Sequence, residues 1–290
     1  MDFDFHGFDA ARGAALAAAY ARDGYAVVRG LLSAVEAARL GAAADALHAE
    51  AIAHGRSFRH GNLFYKIAPA NGAAGGAPAL RMVQWPSYHQ PVLAAARIDP
   101  RIAAVLAPLI GGDLKQIINQ LHWKAPGPGA DFAWHQDSRF RKPHEAYRNL
   151  ATSYVQTGLA IDPHVKASGV MRFLRGSHLR GNLDLDIGEE VLGREMADSA
   201  LDRVGLSAAD IVDLDMAPGD LALWSPYLVH GSGVNTSGHQ RRFYINGYVR
   251  AEDCDRGEWA FRAGQPVPLG AEQALVHYEE LRENPHPHYP

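Results

Sequence analysis

The stretch Asp131-Phe132-Ala133-Trp134-His135-Gln136-Asp137-Ser138 decides how this chain is interpreted, because it places a histidine and an aspartate two positions apart. Residues 133–137 are predicted to form a β-strand, and side chains on a strand alternate between its two faces. The imidazole of His135 and the carboxylate of Asp137 are therefore expected on one face. Both groups can then reach a single metal ion.

A third candidate ligand, His230, lies far along the chain in the segment Leu228-Val229-His230-Gly231-Ser232-Gly233-Val234-Asn235-Thr236-Ser237. Two histidines and one carboxylate occupy one face of an ion and leave three positions open, which is typical of non-haem Fe(II) oxygenases. The spaced histidine and aspartate are weak evidence alone, since the chain has 15 histidines. The neighbours of each ligand therefore carry the interpretation.

An arginine follows the distal histidine at the start of the next predicted strand. His230 is predicted to end one strand, and Arg241 begins another after a polar, glycine-rich turn. The planar guanidinium can bind a carboxylate bidentately, so it suits a dicarboxylate cosubstrate whose other end chelates the metal through a keto-acid group. Arg242 is the alternative anchor, because neighbours on a strand point to opposite faces.

Together these segments resemble the phytanoyl-CoA dioxygenase family, which are Fe(II)/2-oxoglutarate oxygenases on a double-stranded β-helix (jelly-roll) fold. The resemblance covers about residues 10–250. In one matching segment, Gly169 to His178, Arg175 stands where the family usually has proline, which puts the local loop shape in question. The other matching pieces are Asp23 to Leu32, Trp134 to Asp137, the Gly219-Asp220 turn, His230 to Gly233 with Asn235, and Arg241 at the family's spacing after the distal histidine.

The resemblance implies a mainly β fold with flanking helices, in which N-terminal helices pack on a jelly-roll core. We expect one domain over residues 1–290, with a helical N-terminal part at 8–111, the core at about 112–250 and a C-terminal extension at 251–290. Ser33 and Glu36 predict a capping box at the start of the second helix. The predicted helices are 8–22, 33–53, 90–111 and a short one near 188–202; the predicted strands are 25–30, 115–124, 133–137, 153–161, 170–173, 221–224 and 242–250; and 54–79 is predicted to be a loop with a strand-like interruption at 63–66.

The same resemblance assigns His135, Asp137 and His230 as the catalytic metal ligands and favours Arg241 over Arg242 as the 2-oxoglutarate anchor. Ser232 corresponds to a family position that donates to the same carboxylate, although a plain turn serine is the alternative. The remaining cosubstrate candidates are His122, which stands where the family often has an amide, Gln120 on the same strand face, and Phe132 as an apolar wall; core positions are the alternative for His122 and Phe132.

Substrate-binding candidates come from segments that line the pocket in similar enzymes. Several arginines near a metal would suit an anionic substrate, such as a carboxylate, a phosphonate or the phosphates of a thioester carrier. Alternatively, these arginines have no role in binding and only reflect the composition of the chain, in which most basic residues are arginine. The candidates are Arg139 and Arg141 after the metal strand, Tyr154 and Gln156 on the next strand, and Arg172 on the one after it.

Composition excludes several other classes of protein. The net charge is −4 with both signs interspersed, and the clustered basic face of a nucleic-acid-binding protein is missing. The single cysteine, Cys254, leaves no internal disulfide and suits a reducing compartment. The chain has no uncharged apolar stretch long enough to span a membrane and no signal-peptide pattern at its start. We therefore expect a cytoplasmic protein; no pattern indicates an oligomeric state.

The resulting hypothesis is a dioxygenase that uses Fe(II), 2-oxoglutarate and O₂. It would hydroxylate, or otherwise oxidise, a C–H bond of a small organic substrate while 2-oxoglutarate is decarboxylated to succinate. The carboxylate of Asp137 favours hydroxylation, desaturation or ring chemistry, because related halogenases have a small residue at that position. The alternatives are a metalloenzyme with Zn or Mn and no 2-oxoglutarate, a catalytically silent jelly roll that binds a small molecule, and a coincidental motif in an α+β domain.

Overall fold

Two β-sheets organise the part of the chain that the computed structural model describes, which comprises residues 1–69, 76–185, 191–192, 198 and 201–271. The strands are β1 Asp2–Asp4, β2 Tyr25–Arg29, β3 Phe58–His60, β4 Leu63–Pro69, β5 Pro78–Gln84, β6 Leu114–Lys124, β7 Phe132–His135, β8 Tyr154–Ala160, β9 Met171–Leu174, β10 Ile211–Asp213, β11 Leu221–Trp224, β12 His230–Ser232, β13 Arg241–Arg250, β14 Glu258–Arg262 and β15 Gln265–Pro266. The helices are α1 Ala10–Asp23, α2 Ala34–His54, α3 Pro91–Arg97, α4 Pro100–Ile110 and α5 Leu150–Ser153.

The large sheet has the strand order β1-β2-β11-β8-β13-β6-β5-β4-β3, with β14 also paired to β6 and β15 paired to β14. The small sheet has the order β10-β9-β12-β7. One buried apolar cluster combines Trp224 and Phe243 of the large sheet with Met171 and Phe173 of the small sheet. The two sheets therefore pack face to face, and the predicted jelly-roll fold is confirmed.

The other face of the large sheet is covered by helices α1, α2 and α4. A second apolar cluster joins their buried side chains, Leu16, Leu47 and Leu106 among them, to the sheet. Strand β11 shows how the sequence serves both layers. Its Leu221 and Leu223 belong to the helix-side cluster, whereas Ala222 and Trp224 belong to the cluster between the sheets, because consecutive side chains point to opposite faces.

The predicted capping box of α2 is present. Ser33 Oγ accepts a hydrogen bond from the Glu36 backbone N–H, and the Glu36 carboxylate accepts one from the Ser33 N–H. The helix predicted over 90–111 is instead two helices, α3 and α4. Asp99 caps the second by accepting from the Arg101 N–H at 2.9 Å, and Pro100 at its first position cannot continue a preceding helix.

The segment 54–79 was predicted to be a loop with a strand-like interruption at 63–66; strand β4 confirms that interruption and extends it, whereas β3 was missed. Strands β3 and β4 form a hairpin, and β5 joins that hairpin to β6 of the core. The pairing of β5 with β6 joins segments that are remote in the chain, so local propensity did not reveal it. The helix predicted near 188–202 and the residues after 271 lie largely or wholly outside the described residues. Among the described helices, none is long and apolar enough to cross a membrane.

Gly158 in β8 lies where the packing between the two sheets leaves no room for a side chain. An ideal Cβ there would lie 2.0 Å from Cζ of Phe243, which is buried between the sheets. We expect Gly158→Ala to lower the free energy of unfolding by about 1–3 kcal/mol, because the ring must leave its packed position. Chemical denaturation measures the change. Gly238→Ala is the control, since a Cβ there meets nothing within 4 Å; equal stability of the two variants would contradict the expectation.

Candidate metal centre

The antiparallel pairing of β7 and β12 brings the two histidines together. His135 and His230 are register partners, and their ring centroids are 4.1 Å apart. Nε2 of His135 lies 4.0 Å from Oδ1 of Asp137, and Nε2 of His230 lies 3.7 Å from its Oδ2. Donors held about 2.0–2.2 Å from one ion can be at most about 4.4 Å apart. The three side chains can therefore hold one metal ion.

Backbone carbonyls set the orientation of both imidazoles. Nδ1 of His135 donates to the Ala133 carbonyl oxygen at 2.7 Å, and Nδ1 of His230 donates to the Leu228 oxygen at 2.9 Å. The Nδ1 proton is thereby held away from the centre, and the Nε2 lone pair points toward Asp137. Hydrogen bonds of this kind fix the tautomer and ring direction of metal-binding histidines.

Asp137 reaches the centre from just beyond its strand. The prediction that the strand continues to residue 137 was wrong: β7 ends at His135, and Asp137 begins a short 3₁₀ turn, Asp137–Phe140. Gln136 between them keeps an extended backbone, with φ −118° and ψ 136°. The alternation of side chains therefore holds for one more residue. His230 likewise begins β12 rather than ending a strand.

Trp224 was not predicted to be a neighbour of the metal ligands. Its indole Nε1–H donates to Oδ2 of Asp137 at 2.9 Å, and both groups are buried. The alternation of β11, which directs Trp224 between the sheets, is the only sequence signal that bears on it. Trp224 orients the carboxylate, leaving Oδ1 free of any such donor.

Burial determines the protonation state of the centre. Burial lowers the pKa of His135 to about 3, and the nearby His230 adds to the effect. Burial alone would raise the pKa of Asp137, but His230, Arg141 and His135 outweigh it and hold that pKa below its usual value. At neutral pH the imidazole of His135 is neutral and the carboxylate is ionised, which is the state that binds metal.

A cavity of about 460 Å³ opens beside the three ligands. It brings together most of the predicted site residues and adds a wall that the sequence did not predict. Lys66 of β4 and Gln84 of β5 belong to this wall, because β5 pairs with β6 and β4 pairs with β5. The predicted residues that line the cavity are Gln120, His122, Phe132, Arg139, Arg141, Gln156, Ser232 and Arg241.

Arg241 is a buried cation with unused hydrogen-bonding capacity. It is 4% exposed, and its Nε and Nη1 have no hydrogen-bond partner in the described structure. Burial lowers its pKa to about 10, so the guanidinium stays charged at neutral pH. Ser232 Oγ, on the neighbouring wall, is also buried without a partner. Arg242, the alternative anchor, points to the opposite face and pairs with Asp162.

His122 and Phe132 form the side of the cavity next to Arg241. Their ring centroids are 5.6 Å apart, and His122 Nε2 is 3.0 Å from Gln120 Oε1. Burial and, to a lesser extent, the charge of Arg241 lower the pKa of His122 to about 3. The imidazole is therefore neutral and adds no positive charge to the cavity.

Two of the substrate candidates do not line the cavity. Met171 faces it, so the next residue on β9, Arg172, points to the other face of the small sheet. There the Arg172 guanidinium pairs with Asp198 at 3.0 Å and with Asp213 at 3.4 Å, which corrects the role predicted for it. Tyr154 is buried behind the cavity wall, where its ring lies 4.9 Å from the Arg141 guanidinium carbon.

The Trp224 donor has a measurable consequence for metal affinity. We expect Trp224→Phe to weaken binding of a divalent metal ion by about ten- to a hundredfold, because partners that orient a metal ligand contribute that much. Equilibrium titration of the metal-free protein measures it. Trp123→Phe is the matched control, since Trp123 is equally buried and its Nε1 has no partner. Equal losses in both variants would assign the effect to general packing.

Comparison with known proteins agrees with this geometry. Residues 20–243 match the family model described as Phytanoyl-CoA dioxygenase (PhyH). A probable alpha-ketoglutarate-dependent hypophosphite dioxygenase of Stutzerimonas stutzeri is 26% identical over 197 residues, which are 66% of this chain and 64% of that protein. A 2-aminoethylphosphonate dioxygenase from the uncultured bacterium HF130_AEPn_1 is 25% identical over 156 residues, 53% of each chain. The matches thus span less than two thirds of these curated relatives.

Solved structures show the same fold at low sequence identity. The epimerase SnoN, in complex with Fe3+, alpha ketoglutarate and nogalamycin RO, has a TM-score of 0.61 and 23% identity, and the match covers 92% of this chain and 98% of that one. EctD from S. alaskensis with bound Fe has a TM-score of 0.63 and 22% identity, with coverage of 91% and 87%. These likenesses concern the fold alone.

Proposed function

Because this chain belongs to the phytanoyl-CoA dioxygenase family, we propose that it is an Fe(II)- and 2-oxoglutarate-dependent dioxygenase that hydroxylates, or otherwise oxidises, a C–H bond of a small organic substrate. The observation that carries the proposal is the buried set His135, Asp137 and His230, beside a cavity that contains unpartnered donors. When bound, iron and 2-oxoglutarate supply the chemistry that uses O₂ and yields succinate and CO₂.

The donor set fits Fe(II). Strands β7 and β12 supply one imidazole nitrogen each, and the turn after β7 supplies one carboxylate oxygen. The open side of this donor set faces the cavity. Such a face leaves room for a chelating cosubstrate and for O₂. Here the chain's own residues hold the ligands still: carbonyls fix the two rings, and Trp224 fixes the carboxylate of Asp137.

The unpartnered donors fit the distal carboxylate of 2-oxoglutarate. Nε and Nη1 of Arg241 and the hydroxyl of Ser232 are buried polar groups that lack partners, and leaving such groups unsatisfied destabilises a protein. A carboxylate would accept charge-assisted hydrogen bonds from the guanidinium and a further one from the hydroxyl. We assign His122, Gln120 and Phe132 to the walls that confine the cosubstrate, with His122 neutral.

A small molecule is the proposed substrate. The cavity has the volume of small-molecule sites, and the curated relatives are named for hypophosphite and 2-aminoethylphosphonate. Arg139, Arg141 and Gln156 are the proposed substrate contacts, with Tyr154 behind them. The proposal includes a cytoplasmic location, which the single, buried and unpaired Cys254 supports.

An anaerobic titration tests the function. Metal-free protein receives Fe(II) and then 2-oxoglutarate, and the visible charge-transfer band of a chelated keto acid is followed. We expect the band with 2-oxoglutarate and none with succinate, which lacks the keto group. Iron binding without a band would instead favour a metalloenzyme that does not use 2-oxoglutarate. Failure to bind metal would favour the catalytically silent jelly roll.

A further inference from the structure

Arg141 is a second buried cation that lines the cavity. It is 2% exposed, its Nε lacks any hydrogen-bond partner, and its Nη2 donates weakly to Gln156 Oε1 at 3.4 Å. Its guanidinium carbon also lies 4.9 Å from the centre of the Tyr154 ring, and it attracts the Asp137 carboxylate from beyond ion-pair distance. Within the described part of the chain, no Asp or Glu oxygen forms an ion pair with it. A buried charge in this position is costly unless a counterion is supplied.

The residues around Arg141 pack closely and hold its guanidinium in one position. Tyr154 donates its hydroxyl hydrogen to Gln156 Oε1, which fixes the amide beside the guanidinium. Gly247 on β13 leaves the space for both groups, because a Cβ there would lie 1.9 Å from Tyr154 Oη and 2.8 Å from Gln156 Oε1. Tyr154 and Gln156 are therefore positioning residues, and the unpartnered edge of Arg141 belongs to the cavity lining.

The proposed cofactors do not neutralise this charge. An Fe(II) ion, the Asp137 carboxylate, the 2-oxoglutarate dianion and the Arg241 guanidinium together carry no net charge. Arg141 then remains as an uncompensated cation. Lys66, Arg139 and Lys142 also line the cavity, and Asp137 is the one carboxylate among its described lining residues.

Arg141 and Arg241 also belong to opposite ends of the cavity wall. On β13, Arg241 pairs with Lys124, whereas Gly247 pairs with Gln156. Six residues of strand separate these two positions, which is about 20 Å of backbone. Since one end of 2-oxoglutarate is committed to the metal, its single distal carboxylate can neutralise only one of the two arginines.

We propose that Arg141 binds an oxyanion group of the substrate, so that the substrate is a small anionic molecule. The inference rests on the proposed function, because it assumes that Arg241 receives the cosubstrate. The planar guanidinium can bind either a carboxylate or a phosphonate through two hydrogen bonds. Arg141 lies four residues after the metal ligand Asp137, so an anion held there keeps the rest of a small substrate beside the metal.

The test measures anion binding by ligand-observed NMR, on anaerobic protein with Fe(II) and 2-oxoglutarate and on metal-free protein. The probes are methylphosphonate, acetate and the neutral acetamide. We expect wild-type protein to bind at least one anion and not acetamide, and the stronger anion identifies the substrate class. Arg141→Gln should raise the dissociation constant at least tenfold and keep the charge-transfer band. Arg262→Gln is the control, since Arg262 is exposed and contacts the Trp259 ring.

Several outcomes would overturn the inference. These are equal anion binding by wild type and Arg141→Gln, binding of acetamide as tight as that of the anions, and no anion binding by wild type. If the charge-transfer band is lost in Arg141→Gln and normal in Arg241→Gln, Arg141 binds the cosubstrate and Arg241 is left for the substrate. If no protein shows the band but anion binding still requires Arg141, the oxygenase function fails and the anion site stands.

Two further variants separate this role from a structural one. Removal of an unpaired buried charge should leave the melting temperature of Arg141→Gln unchanged or higher, whereas a structural arginine would lower it. Tyr154→Phe frees the Gln156 amide and should weaken anion binding severalfold with the band intact. Tight anion binding in Tyr154→Phe would remove Tyr154 and Gln156 from the proposal.

Discussion

Asp137→Ala is expected to weaken Fe(II) binding by more than about a hundredfold and to abolish the charge-transfer band. Losses of ten- to a hundredfold are usual for residues that only orient a metal ligand, and Asp137 is itself the anionic member of the set. Without it, two imidazoles remain, with ring centroids 4.1 Å apart, and no negative charge offsets the dication. Anaerobic equilibrium titration of metal-free protein gives the affinity.

Matched variants separate the charge of Asp137 from its shape. Asp137→Asn keeps the side-chain volume and an oxygen acceptor for the Trp224 indole but removes the charge, and we expect a loss nearly as large as that of alanine. Asp255→Asn is the control, because Asp255 is exposed and pairs with Arg148. If both Asp137 variants keep the wild-type metal affinity, with the fold intact by circular dichroism, the metal-site assignment is wrong.

Arg241→Gln is expected to raise the dissociation constant of 2-oxoglutarate by roughly thirty- to several-thousandfold. Loss of one partner in a buried, hydrogen-bonded charge pair costs about 2–5 kcal/mol, and about 1.4 kcal/mol corresponds to a factor of ten. Iron affinity should not change, because no hydrogen bond or ion pair of the described structure joins the Arg241 side chain to the three ligands. The amplitude of the charge-transfer band as a function of 2-oxoglutarate concentration measures the effect.

The neighbouring arginine provides the control for this prediction. Arg242→Gln makes the same chemical change one residue away, but its guanidinium points to the other face and pairs with Asp162 and Asp45. We expect it to lower stability and to leave the 2-oxoglutarate affinity unchanged. Arg241→Lys should recover part of the affinity, since it keeps the charge and loses the bidentate fork. The reverse pattern would show that Arg242 is the anchor.

The family and the jelly-roll fold could be predicted from the sequence, and both are confirmed. The decisive signals are local or regularly spaced: a histidine and an aspartate two apart, a glycine-rich turn, and an arginine soon after the distal histidine. Strand alternation converts such spacings into side-chain directions without any knowledge of the partner strands. The proposed metal ligands, Arg241 and Ser232 therefore came from the sequence, and the structure brings them to one cavity.

Other features depended on which distant segments pack together. Strand β3 was taken for a loop, β4 was predicted only over 63–66, and β5 was not predicted. Their place beside β6 was therefore not foreseen, and Lys66 and Gln84 were not assigned to the cavity. Trp224 meets Asp137 only because the two sheets face each other, and Arg172 faces away because β9 presents Met171 to the cavity.

The sequence by itself thus determined the family, and through that resemblance the jelly-roll fold and the residues offered to a metal and a cosubstrate, because the motifs that carry the resemblance are short and local. Only the tertiary structure decided which arginines remain buried without a counterion. Arg172 and Arg242 form ion pairs with aspartates from other segments, whereas Arg141 and Arg241 form none with the residues that the structure describes. Those pairings depend on strand register and sheet packing, which bring together side chains far apart in the chain.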